Sequence, residues 1–326
     1  MTIVVTGGAG FIGSNLVAAL ERQHGGDVTV CDRLSPEKWR NLQAHAPDEF
    51  VEPENLIDFL NRHHRSIEAV VHLGAISSTT ATDAKEVVEN NFLFSSRLWD
   101  WCCGYARPFL YASSAATYGD GSAGFDDDLS LAYLSSLRPL NLYAWSKHLF
   151  DFRVSRRVAR NSTPPQWAGL KFFNVYGPNE RHKDDQRSII AHAYDGLRLT
   201  GKVRLFRSTE EGLADGEQTR DFVSVDDCVS VVLWLLRNLQ VSGLFNVGTG
   251  QARTFNAAAR VVIAAAGGAG AIEYFDMPEQ IAHAYQSHTA ADISRLRSAG
   301  YDRPFRTLED GVTEYVQTYL IPGVYR

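Results

Sequence analysis

Thr2-Ile-Val-Val-Thr6 runs without a break into Gly7-Gly-Ala-Gly-Phe-Ile-Gly13, and the reading of this stretch decides the fold. A short β-branched run, then glycines at positions 7, 10 and 13, then an amphipathic segment over 11–23 predict a strand, a tight turn and a helix in series. Gly7 allows the turn, Gly10 lets bare backbone approach a pyrophosphate, and Gly13 permits close packing of helix on strand. The helix opens at Phe11 and Ile12, where unpaired N–H groups favour an anion.

Val28-Thr-Val-Cys31, Ala69-Val-Val-His72 and Phe109-Leu-Tyr-Ala112 are apolar on both faces, as strands buried in a parallel sheet are. Helical patterns lie around 83–104 and 141–160. Repeated strand-helix-strand units predict a doubly wound, Rossmann-like α/β sheet with helices on both faces. After residue 172 the regularity loosens. Polar, turn-rich segments at 176–188 and 207–220 surround a helical pattern at 188–199, and Asp221-Phe-Val223 leads into an amphipathic stretch at 225–238. Phe245-Asn-Val-Gly-Thr-Gly250 reads as a strand ending in a glycine turn, and 254–326 as two or three helices with little strand. The expected division is a dinucleotide-binding domain, 1–172 plus 224–250, and a smaller α+β substrate domain, 173–223 plus 251–326, with the ligand between them.

Composition narrows the partners. The 326 residues correspond to about two domains at ~150 residues each. A net charge of -6 lacks the basic excess expected of a nucleic-acid binder. Cys31, Cys102, Cys103 and Cys228 have no CxxC spacing, so neither a disulfide framework nor a metal site is expected, and the chain reads as cytoplasmic. The uncharged start before Glu21 lacks a positive n-region, and the uncharged run 261–272 is shorter than the ~18 residues of a spanning helix. No membrane partner is expected.

Asp32, at the end of the second strand, is placed to accept hydrogen bonds from a ribose, which favours NAD. Arg33 and Lys38 follow, and cations there suit a 2′-phosphate, which favours NADP. NADP is preferred, with NAD the alternative. Leu73-Gly-Ala-Ile-Ser77 ends another strand near the expected cofactor, and Asn90 lies on the helix that follows. Tyr143-Ala-Trp-Ser-Lys147 sets a phenol and an ammonium four residues apart on one helix face. A neighbouring cation favours the phenolate, which can take a proton from an alcohol as a cofactor takes the hydride. Ser114, at the end of an intervening strand, is the candidate hydroxyl for the reacting oxygen.

With these residues in place, the chain resembles the extended short-chain dehydrogenase/reductase superfamily, whose members mostly act on nucleotide sugars. Finer matches narrow the resemblance to the ADP-glyceromanno-heptose 6-epimerase family. They are Tyr111-Ala-Ser-Ser-Ala-Ala-Thr-Tyr-Gly119, Phe173-Asn-Val-Tyr-Gly-Pro178 with His182-Lys183, Arg220-Asp-Phe-Val223, and Ala299-Gly-Tyr-Asp-Arg-Pro-Phe305 with Glu309-Asp-Gly-Val-Thr-Glu-Tyr315. The resemblance implies inversion of carbon six of an ADP-heptose by transient oxidation and re-reduction with tightly bound NADP, a step toward the lipopolysaccharide inner core, and a homo-oligomer. It also implies a second acid/base, Lys183, serving the orientation of the intermediate that Tyr143 does not. Without it, Lys183 in Arg181-His-Lys-Asp-Asp185 reads as a solvated lysine. By the same carry-over Lys147 and Val175 belong to the cofactor site, and Ser114, Asn174, His182, His192, Phe206, Arg220 and Tyr285 to the substrate site.

The sequence departs from the family in longer segments at 120–138 and 207–219, in Phe206-Arg-Ser-Thr209 at the substrate turn, and in Asp185 after the catalytic lysine. Segment 48–56 is acidic and has no lysine for a 2′-phosphate. Two other readings compete: a UDP-sugar 4-epimerase, and a non-catalytic cofactor-binding protein of the same fold. A 4,6-dehydratase needs an acid pair where this chain has Ala115-Ala116.

Overall fold

The computed structural model describes residues 2–24, 27–278 and 286–326. Its strands are β1 (Thr2–Thr6), β2 (Val28–Cys31), β3 (Glu49–Val51), β4 (Ile67–His72), β5 (Phe109–Ser114), β6 (Trp167–Phe172), β7 (Asn174–Tyr176), β8 (Lys202–Phe206), β9 (Thr219–Ser224), β10 (Gly243–Val247), β11 (Ala252–Thr254) and β12 (Ala271–Phe275). Among the described residues, seven form one sheet in the order β10-β6-β5-β4-β1-β2-β3. Every pairing in it is parallel. The strand order reverses between β1 and β4, where open parallel sheets bind ligands beyond the carboxyl ends of their strands. Val4, at the centre of β1, is fully buried between Thr29 of β2 and Val70 of β4.

Both faces of the sheet are covered, which explains the apolar runs. On one face the helices Phe11–His24 and Val225–Arg237 pack Leu16, Val17, Leu20, Val231 and Leu235 against Val5, Val30, Leu170 and Phe245. On the other, the helices Leu56–His63, Ser95–Gly104 and Leu142–Val158 pack Leu60, Leu98, Trp99 and Phe150 against Val70, Phe109 and Trp167. Fully burying one such side chain stabilises by roughly 1.5–3 kcal/mol.

Beyond β6 the chain builds a second core. The helices Ile189–Thr200, Phe255–Ala265 and Leu308–Tyr315 enclose Ile190, Val203, Leu205, Val262 and Val312. Two small sheets flank them, β11-β9-β7 and β12-β8. The sequence reading gave this region little strand. In β8 alternate residues are exposed and buried, so Lys202-Val-Arg-Leu-Phe206 carries a period of two that its charged residues disguise. β12 follows directly on the glycine turn Gly267–Gly270, at the end of an Ala/Gly-rich run, and pairs in parallel with β8. β3 and the helix Leu56–His63 were also missed; they lie in and just after the acidic stretch 48–56.

Candidate active site

At the carboxyl ends of β1, β4, β5 and β6 lies a cleft of about 460 Å³. Its floor is the glycine turn. Gly7 has φ +67°, and a Cβ there would come within 2.6 Å of the Gly74 nitrogen. Gly13 has no room either, since its Cβ would strike the Gly7 carbonyl. Gly7, Gly10, Phe11, Ile12 and Gly13 all line the cleft, so bare backbone and a helix start meet whatever enters. Leu73, Gly74, Ala75 and Ser77 form the facing edge. Ile76 does not line the cleft; its N–H and C=O are both held at 2.9 Å by Asn91, whose amide also donates to Ser146 at 2.9 Å. Asn91 lies in a π-helical segment, Glu89–Phe94, and ties the cleft edge to the helix that carries Tyr143. Sequence reasoning chose its neighbour Asn90, whose side chain instead accepts from Arg33 at 2.9 Å.

The two strand ends are joined by a buried chain of hydrogen bonds. Thr6 Oγ1 accepts from the Gly74 N–H at 3.1 Å and donates to His72 Nδ1 at 2.6 Å. His72 Nε2 donates in turn to Ser95 Oγ at 2.8 Å. Complete burial, reinforced by the Lys147 charge, lowers the His72 pKa to about 3.

At the β2 end of the cleft, Asp32 accepts from the Ala9 N–H and from Lys38 Nζ, each at 3.0 Å. Arg33 turns away and is paired with Glu54, with Nε at 3.0 Å. Asp32 and Lys38 therefore line the cleft whereas Arg33 does not. His182 also lines it. Its Nδ1 accepts from Asn41, 3.0 Å away, on the short 3₁₀ helix Lys38–Leu42 that carries Lys38. This puts His182 on the side of the Asp32–Lys38 pair. Burial, with the charges of Lys38 and Lys183, holds its pKa down at about 4. An adenosine ribose fits Asp32 and Lys38, and a pyrophosphate fits the glycine turn.

The candidate reacting groups arrive on separate elements. Asn141 caps the helix Leu142–Val158 by accepting from the Ala144 N–H at 2.9 Å, which sets Tyr143 and Lys147 one turn apart on the wall of the cleft. Lys147 Nζ donates to the Ala112 carbonyl at 3.0 Å. Its pKa falls to about 8 through burial, a fall that Asp151 opposes. Burial raises the Tyr143 pKa, and the Ser114 hydroxyl, hydrogen-bonded to it, pulls it back. Lys183 reaches the same cleft from the turn Arg181–Gln186, with Nζ 5.4 Å from the centre of the Phe11 ring; burial lowers its pKa. The solvated-lysine reading of Lys183 is therefore corrected. Buried Glu180 pins this turn by accepting from Ser188 Oγ at 2.8 Å and the Gly177 N–H at 3.3 Å. Within it Asp184 adopts φ +46°, a strained conformation for a non-glycine residue.

A second cavity, about 260 Å³, adjoins the first and shares Phe173, Val175, Lys183 and Gln186 with it. Asn174 lines it, together with Phe222 and Phe255. Arg220 lies behind, its guanidinium 5.3 Å from the centre of the Phe255 ring. His192 and Phe206 line neither cavity: His192 contacts the Asp185 carbonyl at 3.4 Å, and Phe206 packs on Phe275. Tyr285 lies outside the described residues. Asp185 is exposed, and Arg207 is met by Asp276 at 3.2 Å and Asp215 at 3.6 Å. Sequence reasoning missed Phe173 and Gln186; Gln186 accepts from Thr79 Oγ1 at 3.2 Å across the mouth of the cleft.

A glycine turn at a helix start, a tyrosine-lysine pair and a second, half-buried lysine around one cleft define a cofactor-dependent enzyme of the short-chain dehydrogenase/reductase type. Residues 3–248 match the model of the NAD dependent epimerase/dehydratase family, and the chain belongs to that family. It is 48% identical over 320 residues, 97% of each chain, to an ADP-L-glycero-D-manno-heptose-6-epimerase of Nitratidesulfovibrio vulgaris. To the enzyme of the same name from Fusobacterium nucleatum it is 42% identical, over 98% of each chain. Among solved structures, the Helicobacter pylori ADP-L-glycero-D-manno-heptose-6-epimerase superposes with a TM-score of 0.79 at 28% identity, covering 97% of this chain and 95% of that one. A UDP-glucose 4-epimerase from Thermus thermophilus, in complex with NAD, gives 0.76 at 26% identity, covering 97% and 98%.

Proposed function

We propose that the chain is an ADP-L-glycero-D-manno-heptose-6-epimerase, interconverting the two carbon-six epimers of ADP-glycero-D-manno-heptose. The observation that carries this reading is the meeting of Tyr143 and Lys183 in one cleft, supported by the near-full-length similarity to enzymes of that name. A nicotinamide cofactor, when bound, supplies the acceptor and donor of hydride. We take it to be NADP, with Lys38 at its ribose phosphate and Arg33 within reach once released from Glu54.

The residues then divide the proton work. Inversion presents the carbon-six oxygen in two orientations, and one fixed base does not serve both. Tyr143, with Lys147 beside it and Ser114 holding the oxygen, takes or returns the proton in one orientation; Lys183 does so in the other. A lysine lowered by burial is suited to both directions of transfer near neutral pH. The sugar occupies the adjoining cavity, against Asn174 and Val175, and Arg220 and Phe255 bound its far side. A soluble cytoplasmic homo-oligomer serving lipopolysaccharide synthesis completes the reading; among the described residues no helix is long and apolar enough to cross a membrane. Incubation with ADP-D-glycero-D-manno-heptose and, separately, UDP-galactose, with the products resolved by NMR, tests it. Conversion of the first alone is expected, and conversion of only the second, or of neither, overturns it.

A further inference from the structure

Beneath the reacting residues the chain buries a second set of charges. Asp151, one turn beyond Lys147 on the same helix, and Lys171 of β6 are both fully buried and pair at 3.0 Å. Each has further partners. Asp151 accepts from Tyr111 Oη at 3.1 Å and Ser113 Oγ at 2.8 Å. Lys171 donates to Thr117 Oγ1 at 2.5 Å and lies 4.6 Å from the centre of the Tyr118 ring. Thr117 donates to the Ser114 carbonyl at 2.7 Å. Ser114 is thus tied to the pair on both flanks, through Ser113 to Asp151 and through Thr117 to Lys171. A buried ion pair is often replaceable by apolar residues at no loss of stability, so stability alone does not account for it.

We infer that Asp151, balanced by Lys171, is a positioning residue that sets a negative charge against Lys147 and fixes Ser114 in register with Tyr143; the inference rests on the roles proposed for those three residues. The groups facing Lys147 are Tyr143 and Asp151 on its own helix, the Ala112 carbonyl on β5, neutral His72 on β4 and, behind Asp151, Lys171 on β6. Of the pair, Asp151, one helical turn away, is the charge that acts on Lys147, opposing the effect of burial. Once the Tyr143–Lys147 pair has lost one proton, it exists either as phenolate with ammonium or as phenol with amine, and the difference between the two pKa values sets the ratio. Each unit by which Lys147 falls removes about tenfold of the phenolate-ammonium form.

The test compares Asp151→Asn with the double variant Asp151→Asn/Lys171→Met, which leaves no charge unpaired. kcat, KM and the phenolate absorbance of Tyr143, taken as the difference from the Tyr143→Phe protein, are followed against pH. In both variants kcat falls about tenfold with KM little changed, and the Tyr143 phenolate forms at higher pH than in the parent. Asp151→Glu, which keeps the charge, recovers most of kcat. If the double variant regains the parent kcat and titration, Asp151 only neutralises Lys171 and the inference falls. Should Asp151→Asn fail to fold, the double variant decides alone. If the parent turns over no ADP-heptose, the Tyr143 titration still decides this inference, and it is the functional reading that fails.

Discussion

Replacing Gly13 by alanine probes the turn on which the cofactor site is built. A Cβ at position 13 would strike the Gly7 carbonyl oxygen, with the Gly7 carbonyl carbon at 2.8 Å and Gly8 Cα at 2.9 Å. These are backbone atoms, and Gly7 cannot retreat, because it is itself wedged against Gly74. Overpacking of this kind costs roughly 1–3 kcal/mol. Alanine's helix preference over glycine returns at most about 1 kcal/mol. The clash prevails, leaving a net loss of up to about 2 kcal/mol, which lowers Tm by up to about 3 °C in a chain of this size. Pushing the helix start from the turn also weakens dinucleotide binding, by about tenfold for each 1.4 kcal/mol of misfit. Gly104→Ala is the control, since nothing lies within 4 Å of its Cβ position. Circular dichroism melts with and without NADP, run on both variants, measure the two effects. A Gly13→Ala protein that melts with the parent and binds NADP equally well would refute the reasoning.

Other perturbations follow from the same geometry. Tyr143→Phe and Lys183→Ala are each expected to abolish epimerisation while the nucleotide released on denaturation keeps its parent mass and amount; full activity in either variant removes that residue from the mechanism. His72 and His182 stay neutral in the fold, at about 3 and about 4 against an ordinary 6.5. The unfolded chain therefore takes up protons that the native one refuses, so stability declines as pH falls below about 6.5, by up to about 1.4 kcal/mol per pH unit for each histidine. His182→Asn removes one of these terms, so urea titrations at about pH 7 and about pH 5 should show a smaller acid loss than in the parent; an equal loss contradicts the assignment. Glu54→Gln releases Arg33 from an exposed ion pair of roughly 0.2–1 kcal/mol, and should raise the affinity for NADP relative to NAD by up to about fivefold. An unchanged ratio in a calorimetric titration would show that Arg33 does not reach the phosphate.

Much of the fold was legible because its strands are buried on both faces and its turns are glycine. The run Thr2–Thr6, Gly7, Gly10 and Gly13 could be read directly, since only close backbone approach explains glycine at each place. Elements that depend on pairing partners far away in the chain were not legible. β3 and β8 carry charged residues on open faces, and nothing local marks them as strands. Tyr143, Lys147 and Ser114 could be found from chemistry and spacing. Lys183 could not, because the cleft wall it joins includes Phe11, more than 150 residues away, and only the family resemblance pointed to it. Lys171, a charge inside the otherwise apolar strand Trp167–Phe172, was a signal in plain view of the network beneath the site. Asn91, next to the Asn90 that the sequence suggested, was not legible as the tie between Ile76 and Ser146, because its partners lie 15 and 55 residues away. Arg33 could be read as a candidate from its place after Asp32, but its pairing with Glu54, contributed by the acidic 48–56 segment, depends on a fold contact that no local pattern marks.

The central claim is that carbon six is oxidised and reduced in place, with Tyr143 and Lys183 handling the proton on the two faces. ADP-D-glycero-D-manno-heptose carrying deuterium at carbon six tests this directly when converted in ordinary water without added cofactor. The account predicts an L-glycero product that keeps its deuterium at carbon six, since the hydride that leaves is the one that returns. A product carrying hydrogen from solvent at that carbon would contradict it.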